Sequence, residues 1–212
     1  MCSAFVWKGA PNSARGAKIA WDRVCTTKAC GDLGLRRLSD WNKVMALKVI
    51  WLLFTKAGSL WVSWVRINLI ANRSFWDLNP YSSGSWIWRK LCKLRPLARP
   101  FLVCEIGSGE TASFWQYNWT GLGPLIDLTG PNGPSSVGLP LSAVVRDALR
   151  GDNWWLAASR SKNLSIVLLK SALPAIDDMV DCQHDDVYKW KPDHHAPSST
   201  FSASKTWTAL HP

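Results

Sequence analysis

The sequence predicts an α+β fold: a helical N-terminal half, a small central β-hairpin, and a loop-rich, partly helical C-terminal part. Three observations predict it. Apolar residues recur at helical spacing between 39 and 94, two strand-like runs flank Gly107-Ser108-Gly109-Glu110, and residues 121–140 are crowded with Gly and Pro.

The first helix is expected from Ser39 or Asp40, either of which can cap it. Trp41, Val44, Met45, Leu47, Ile50, Trp51 and Phe54 form its apolar stripe, and Gly58 ends the run. A second pattern spans Leu60–Ile70, with Trp61, Trp64, Val65 and Leu69 at helical spacing. A third covers Trp86–Leu94, capped by Ser85 and stopped by Pro96. The exposed faces of these helices are expected to carry Lys43, Lys56, Arg66, Arg89, Lys90 and Lys93.

The period then changes. Phe101–Ile106 and Thr111–Asn118 are short strand-like runs, and the residues between them tolerate the backbone of a tight turn, so a hairpin is expected. Leu141–Leu149 and Asn163–Leu173 are candidate helices, the second stopped by Pro174. Residues 175–200 are polar and acidic, and Phe201–Leu210 opens a further element. The expected divisions are therefore a basic, Trp-rich helical region over 1–100, the hairpin over 101–120, a linker over 121–140, and a helical and loop region over 141–212.

The chain has 212 residues, 47% of them apolar, which is too rich for a disordered acidic tail and leaves enough chain to bury a core. Its 25 Lys and Arg against 15 Asp and Glu give a net charge of +10. That charge is unevenly placed. Residues 1–110 hold 17 basic and 6 acidic side chains, a net of +11, whereas residues 111–212 hold 8 and 9, a net of −1. A basic half of this kind suits a polyanion, nucleic acid before an anionic membrane surface; the same residues also suit an ordinary solvated helical face.

Met1–Trp7 lacks the basic and apolar regions of a secretory signal, and the most apolar stretch, Val44–Phe54, is interrupted by Lys48 and far shorter than the ~20 residues a spanning helix needs. An intracellular chain with no membrane span is expected, its six cysteines reduced.

Signatures of catalysis are sparse. No Gly-rich loop runs into Lys-Ser/Thr, and no Gly-x-Ser-x-Gly elbow occurs. Asp177-Asp178 and Asp185-Asp186 sit in a polar segment without apolar strand flanks, so they are expected to be solvated loop acids rather than metal-holding carboxylates. Cys25-x4-Cys30 has no matching second pair, Cys92, Cys104 and Cys182 are isolated, and His184, His194 and His195 cluster late, so no metal site, cofactor or small-molecule substrate is expected. What remains is basic residues interleaved with aromatics: Trp7-Lys8, Trp21-Asp22-Arg23, Trp41-Asn42-Lys43 and Trp88-Arg89-Lys90. Lys and Arg meet phosphates and exposed rings stack on unpaired bases, although helical spacing turns most of these tryptophans inward.

An ordered series of motifs gives a resemblance. Phe5-Val6-Trp7-Lys8-Gly9 is followed by Ile19-Ala20-Trp21-Asp22-Arg23-Val24-Cys25, by Gly31-Asp32-Leu33-Gly34, and by Asn42 to Lys48. Further on come Gly107-Ser108-Gly109, Phe114-Trp115, Trp119, Tyr188-Lys189-Trp190 and Phe201 to Trp207. The series resembles plant non-LTR (LINE-type) retrotransposon reverse transcriptases, in the region between the polymerase core and the reverse-transcriptase zinc-binding domain. The chain departs from the family at Asp32, where a glycine is usual, and at Gln116-Tyr117, where an acid is usual. The family's Tyr-x-Asp-Asp palm motif is not matched, so the resemblance implies a non-enzymatic fragment with no catalytic residues. It implies too that the basic half holds RNA or RNA–DNA hybrid without regard to sequence, through Lys18, Arg23, Arg36, Arg37, Lys43 and Lys48. The alternative is a structural or protein-interaction remnant whose basic face merely solvates a Trp-rich core.

Overall fold

The computed structural model describes residues 19–25, 34–55, 58–71, 73–79, 81, 84–176, 184–192 and 195–211. The fold is α+β, with many short helices and two small antiparallel sheets among these residues. The chain divides into two compact units, Met1–Val44 and Met45–Pro212.

In the first unit, α1 (Trp21–Val24) is a single turn that buries Val24. The chain then runs without regular structure from Gly34 to Arg37 before α2 (Leu38–Phe54) begins. Neither expected cap opens this helix. The Arg37 carbonyl does, accepting from the Asp40 and Trp41 amides at 3.1 and 2.9 Å. Along α2, Val44, Leu47, Ile50, Trp51 and Phe54 of the expected stripe are buried, Trp41 and Met45 are half-buried, and Leu53, outside the stripe, is buried as well.

In the second unit, α3 (Leu60–Val65) widens into a π-helical turn over Arg66–Ile70. Val62, Val65 and Leu69 are its buried residues, while Trp61 and Trp64, expected on the inner stripe, are exposed. Two overlapping apolar stripes fit this segment, and periodicity alone does not choose between them. Next, α4 (Trp86–Lys93) starts as predicted, with the Ser85 hydroxyl accepting from the Trp88 amide at 3.4 Å. Pro96 does not stop the helical course. It sits in the first turn of α5 (Arg95–Ala98), where the missing N–H removes nothing.

The expected hairpin does not form. β1 (Leu102–Glu105) pairs antiparallel with the distant β4 (Val187–Trp190), in a register running from Leu102 opposite Trp190 to Glu105 opposite Val187. Residues 111–118 contribute only isolated bridges, Val103 to Asn118 and Ser113 to Val144. The physical reason lies in the Gly107–Ala112 turn, whose amides bind the side chain of Asp186 instead of a facing strand. A tight hairpin does occur elsewhere, between β2 (Leu149–Arg150) and β3 (Asn153–Trp154), turning through Gly151.

Residues 121–140, expected as a linker, hold α6 (Leu125–Thr129) and α7 (Gly133–Val137) and pack into the unit. Tryptophan indoles pin them. Trp115 Nε1 donates to the Leu139 and Pro140 carbonyls at 3.2 and 3.0 Å, and Trp155 Nε1 donates to the Val137 carbonyl at 3.2 Å. A Gly/Pro-rich stretch leaves many carbonyls outside helices, and a buried indole needs one such acceptor. A 3-10 turn, Val145–Ala148, replaces the helix expected over 141–149. α8 (Leu164–Ala172) and α9 (Ala203–Leu210) are capped by Asn163 and Ser202.

Two apolar cores result within the second unit. One gathers Leu47, Ile50, Trp51, Val65, Phe75, Trp88, Leu91 and Phe101 around Trp190. The Trp190 ring stacks on Phe101 at 5.3 Å, meets Trp51 edge-on at 6.0 Å, and donates Nε1 to the buried Thr206 hydroxyl of α9 at 2.9 Å. The other core surrounds Phe114, which Trp115, Trp119 and Trp155 contact at 5.0, 5.5 and 5.3 Å. Tyr117 and Tyr188 pack against both cores.

Gly107 is where the turn admits no side chain. A Cβ there would lie 2.1 Å from the His184 carbonyl oxygen, the same oxygen that accepts from the Ser108 amide at 2.8 Å. Gly107→Ala should therefore lower unfolding free energy by about 3 kcal/mol, as overpacking against rigid backbone does. Gly58→Ala, with open space around it, should shift it by less than about 0.5 kcal/mol in the same urea titrations.

Candidate functional site

Lys18 lies outside the described residues. Of the other basic residues that the resemblance singles out, Arg23 is exposed on α1, Arg36 and Arg37 are exposed in the segment before α2, and Lys43 is exposed on its second turn. The Arg36 guanidinium lies 4.6 Å from the centroid of the Trp41 ring, a cation–π contact that holds the charge near the start of α2. Arg37 Nη2 meets Asp22 Oδ1 at 3.2 Å, tying α1 to the entry of α2, and Lys43 Nζ meets Asp40 Oδ1 at 2.8 Å. Four of the five described residues thus share the first unit. Lys48 is exposed further along α2, in the second unit.

These two pairs are open to solvent on at least one side: the Arg37 and Asp22 side chains are 44% and 78% exposed, and Lys43 is 50% exposed. Exposed pairs contribute roughly 0–1 kcal/mol, so they compete weakly with a phosphate for the same cation. The geometry suits a diffuse anionic surface better than a single fixed anion, because Arg23, Arg36, Arg37, Lys43 and Lys48 are all exposed.

The structure also assembles a site that the sequence reading missed. Asp186, expected as a solvated loop acid, is buried, and its carboxylate accepts five hydrogen bonds. Oδ1 takes the Gly107 and Gly109 amides at 2.9 and 2.8 Å. Oδ2 takes the Thr111 amide, the Thr111 hydroxyl and the Ala112 amide at 2.9, 2.8 and 2.8 Å. Burial alone would push this carboxyl up, but the bonds from Thr111, Gly107 and Gly109 together hold it below the usual Asp value. The available sequence signal was the placement of Asp186 immediately before Val187-Tyr188, whose strand character the polar surroundings obscured.

Beside this clasp lies a cavity of about 480 Å³, lined among others by Phe54, Arg66, Phe75, Tyr117, Asp186 and Tyr188. Its rim includes the π turn and Ala71, which is the non-glycine residue at positive φ (50°) among the described residues. Strained backbone and π turns are enriched at functional sites. The chemistry inside is restrained, however. Burial pushes the Tyr117 hydroxyl up to about 12 and raises Tyr188 and the nearby Cys104 thiol well above their ordinary values, so all three stay protonated near neutral pH. Tyr117, standing where the resembled family carries an acid, packs edge-on against Phe54 and Tyr188 at 5.9 and 5.3 Å. Its neighbour Gln116 is also buried; its Nε2 donates to both Asp77 oxygens at 3.0 and 3.1 Å, and its Oε1 accepts from Arg99 at 3.1 Å.

Among the described residues no three His, Cys, Asp or Glu side chains converge as metal ligands; Cys30 and His194 lie outside them. No described helix is long and apolar enough to cross a membrane.

Comparison with known proteins gives two relatives, both from Arabidopsis thaliana. The chain is 28% identical over 134 residues to a protein named "Putative ribonuclease H protein At1g65750", a match that covers 62% of this chain and 22% of that protein. It is 25% identical over 116 residues to "Uncharacterized mitochondrial protein AtMg00310", covering 54% of this chain and 75% of the relative. The matched part thus spans about a fifth of the first relative's length. No family model matches the chain, and no solved structure matches it.

The Asp186 clasp yields a signed pH prediction. Because the folded carboxyl titrates below its unfolded value, its stabilisation is full above the unfolded pKa of about 4 and disappears as pH falls through the lower folded value. Asp186→Asn turns one acceptor into an N–H donor facing other donors, and should lower stability at pH 7 by about 3 kcal/mol. Urea titrations from pH 7 to pH 2 should show a steep loss below pH 4 in the parent chain and a shallower one in the variant.

Proposed function

We propose that this chain is a non-catalytic part of a plant retrotransposon protein of the non-LTR reverse-transcriptase kind, from the region between polymerase core and zinc-binding domain, and that its basic N-terminal half binds nucleic acid without regard to sequence. The observation that carries the binding is the charge division: 17 basic against 6 acidic residues over 1–110, net +11, with Arg23, Arg36, Arg37, Lys43 and Lys48 all exposed. The likeness to an Arabidopsis protein named for ribonuclease H supports the retroelement origin, as does the ordered motif series from Phe5 to Trp207. RNA or RNA–DNA hybrid is the proposed partner. The absence of a palm motif supports the non-enzymatic reading, and neither cofactor nor small-molecule substrate is part of it.

One observation favours the structural-remnant alternative: Arg37 and Lys43 each already face an acid, Asp22 and Asp40. The two readings separate on salt. Fluorescence anisotropy with labelled RNA and hybrid duplex should give a Kd that rises steeply between low and physiological salt, since each phosphate contact releases counterions. Arg36→Glu/Arg37→Glu should weaken binding at least tenfold and reduce the slope of log K against log salt by about 2. A flat salt response, or an unchanged Kd in the double variant, would leave the structural alternative standing.

A further inference from the structure

We propose that the outer face of α4 is a separate contact for unpaired nucleic acid, with Trp86 as a stacking platform and Arg89, Lys90 and Lys93 as phosphate contacts. The inference rests on the reading that the chain binds nucleic acid. It adds a surface within the second unit that lies outside the six basic residues singled out by the resemblance; the sequence places Arg89, Lys90 and Lys93 on an exposed face, and the structure puts Trp86 beside them.

α4 divides its residues sharply between core and solvent. Trp88, Leu91 and Cys92 are buried in the core around Trp190. The entry to the helix is fixed from that inner side: Gly84 has φ +100°, and a Cβ on it would lie 2.4 Å from the Trp88 ring. The opposite side is then set by geometry. Trp86, Arg89, Lys90 and Lys93 fall at i, i+3, i+4 and i+7, so they form one stripe about 10 Å long. All four are exposed, Trp86 to 66%.

The composition of that stripe points to its ligand. No acid occurs anywhere in α4. The Lys90 ammonium lies 5.3 Å from the Trp86 ring centroid, which keeps a cation beside the ring. A merely solvated face accounts for the three cations but not for a large indole left in water beside them. An aromatic face set among cations is the pairing that unpaired bases on a phosphate backbone require, with the ring meeting a base and the charges meeting the phosphates. An anionic membrane surface shares the charge requirement. On this short helix, though, only Trp86 and Ile87 are available to insert, since the remaining apolar side chains face the core.

The test uses the full chain with short oligo(dT), oligo(U) and an abasic strand of equal length, read by fluorescence anisotropy, after thermal melts have matched each variant to the parent. Trp86→Ala should weaken oligo(dT) and oligo(U) about tenfold and leave the abasic strand unchanged, and Trp86→Phe should recover most of the loss. Arg89→Glu/Lys93→Glu should weaken all three strands and reduce the salt slope by about 2. A response to oligo(U) alone would make the ligand RNA; an equal response to both makes it any single strand. Unchanged affinity for oligo(dT) and oligo(U) in Trp86→Ala overturns the proposal. So does binding confined to phosphatidylserine vesicles. If Arg36→Glu/Arg37→Glu abolishes binding while Trp86→Ala does not, only this inference fails; if the parent chain binds no strand at all, the function proposed above fails with it.

Discussion

A single buried carboxylate organises the larger unit. Asp186 gathers four backbone amides and a hydroxyl from a six-residue turn some 75 positions earlier in the chain. Those amides have no strand partner of their own, and leaving them unmet in the interior would be costly for each. By meeting them, Asp186 places β4 beside β1, because Val187 follows it directly and pairs with Glu105. The sheet register and the seat of Trp190 then follow. In this sense the short strand pair is a consequence of the clasp, since four residues of ladder are a weak constraint by themselves.

Once β4 is seated, aromatic packing does the rest. Trp190 links β4 to α2 through Trp51, to the Arg99–Phe101 turn through Phe101, and to α9 through Thr206. Tyr117 and Tyr188 join the two cores and remain neutral through burial, so the junction carries no charge that would need a partner. The tryptophan excess thereby acquires several distinct roles. Trp51, Trp88, Trp115, Trp119 and Trp190 are core residues, Trp115 and Trp155 also hold the Gly/Pro-rich stretch by its carbonyls, and Trp61, Trp64 and Trp86 face outward.

The electrostatics divide along similar lines. The buried carboxylate of Asp186 is met by hydrogen bonds, whereas Arg23, Arg36, Arg37, Lys43, Lys48, Arg89, Lys90 and Lys93 stay at the surface. Surface cations of this kind attract polyanions over a Debye length and tolerate many arrangements of phosphate, which matches a partner held without regard to sequence. Burial keeps Tyr117 and Tyr188 protonated, so the cavity beside Ala71 is lined there by neutral hydroxyls.

Much of the local architecture was legible in the residues themselves. The stripe from Val44 to Phe54, the Ser85 cap and the charge division all depend on neighbours within a few turns, and local chemistry decides such features. The α+β class is observed too, although its strands pair β1 with β4 and β2 with β3 and not as the expected hairpin. The basic side chains likewise declared themselves by type, and their exposure follows from the cost of burying unpaired charge. What only the tertiary structure decided is long-range: that β1 pairs with β4 and not with 111–118, that Asp186 is an interior anchor, and that α3 turns Trp64 outward while Trp86 stands free on α4. A turn such as Gly107–Ala112 has several ways to satisfy its amides that look alike over ten residues. The choice among them is made by a partner that is far away in sequence and near only once the chain has folded.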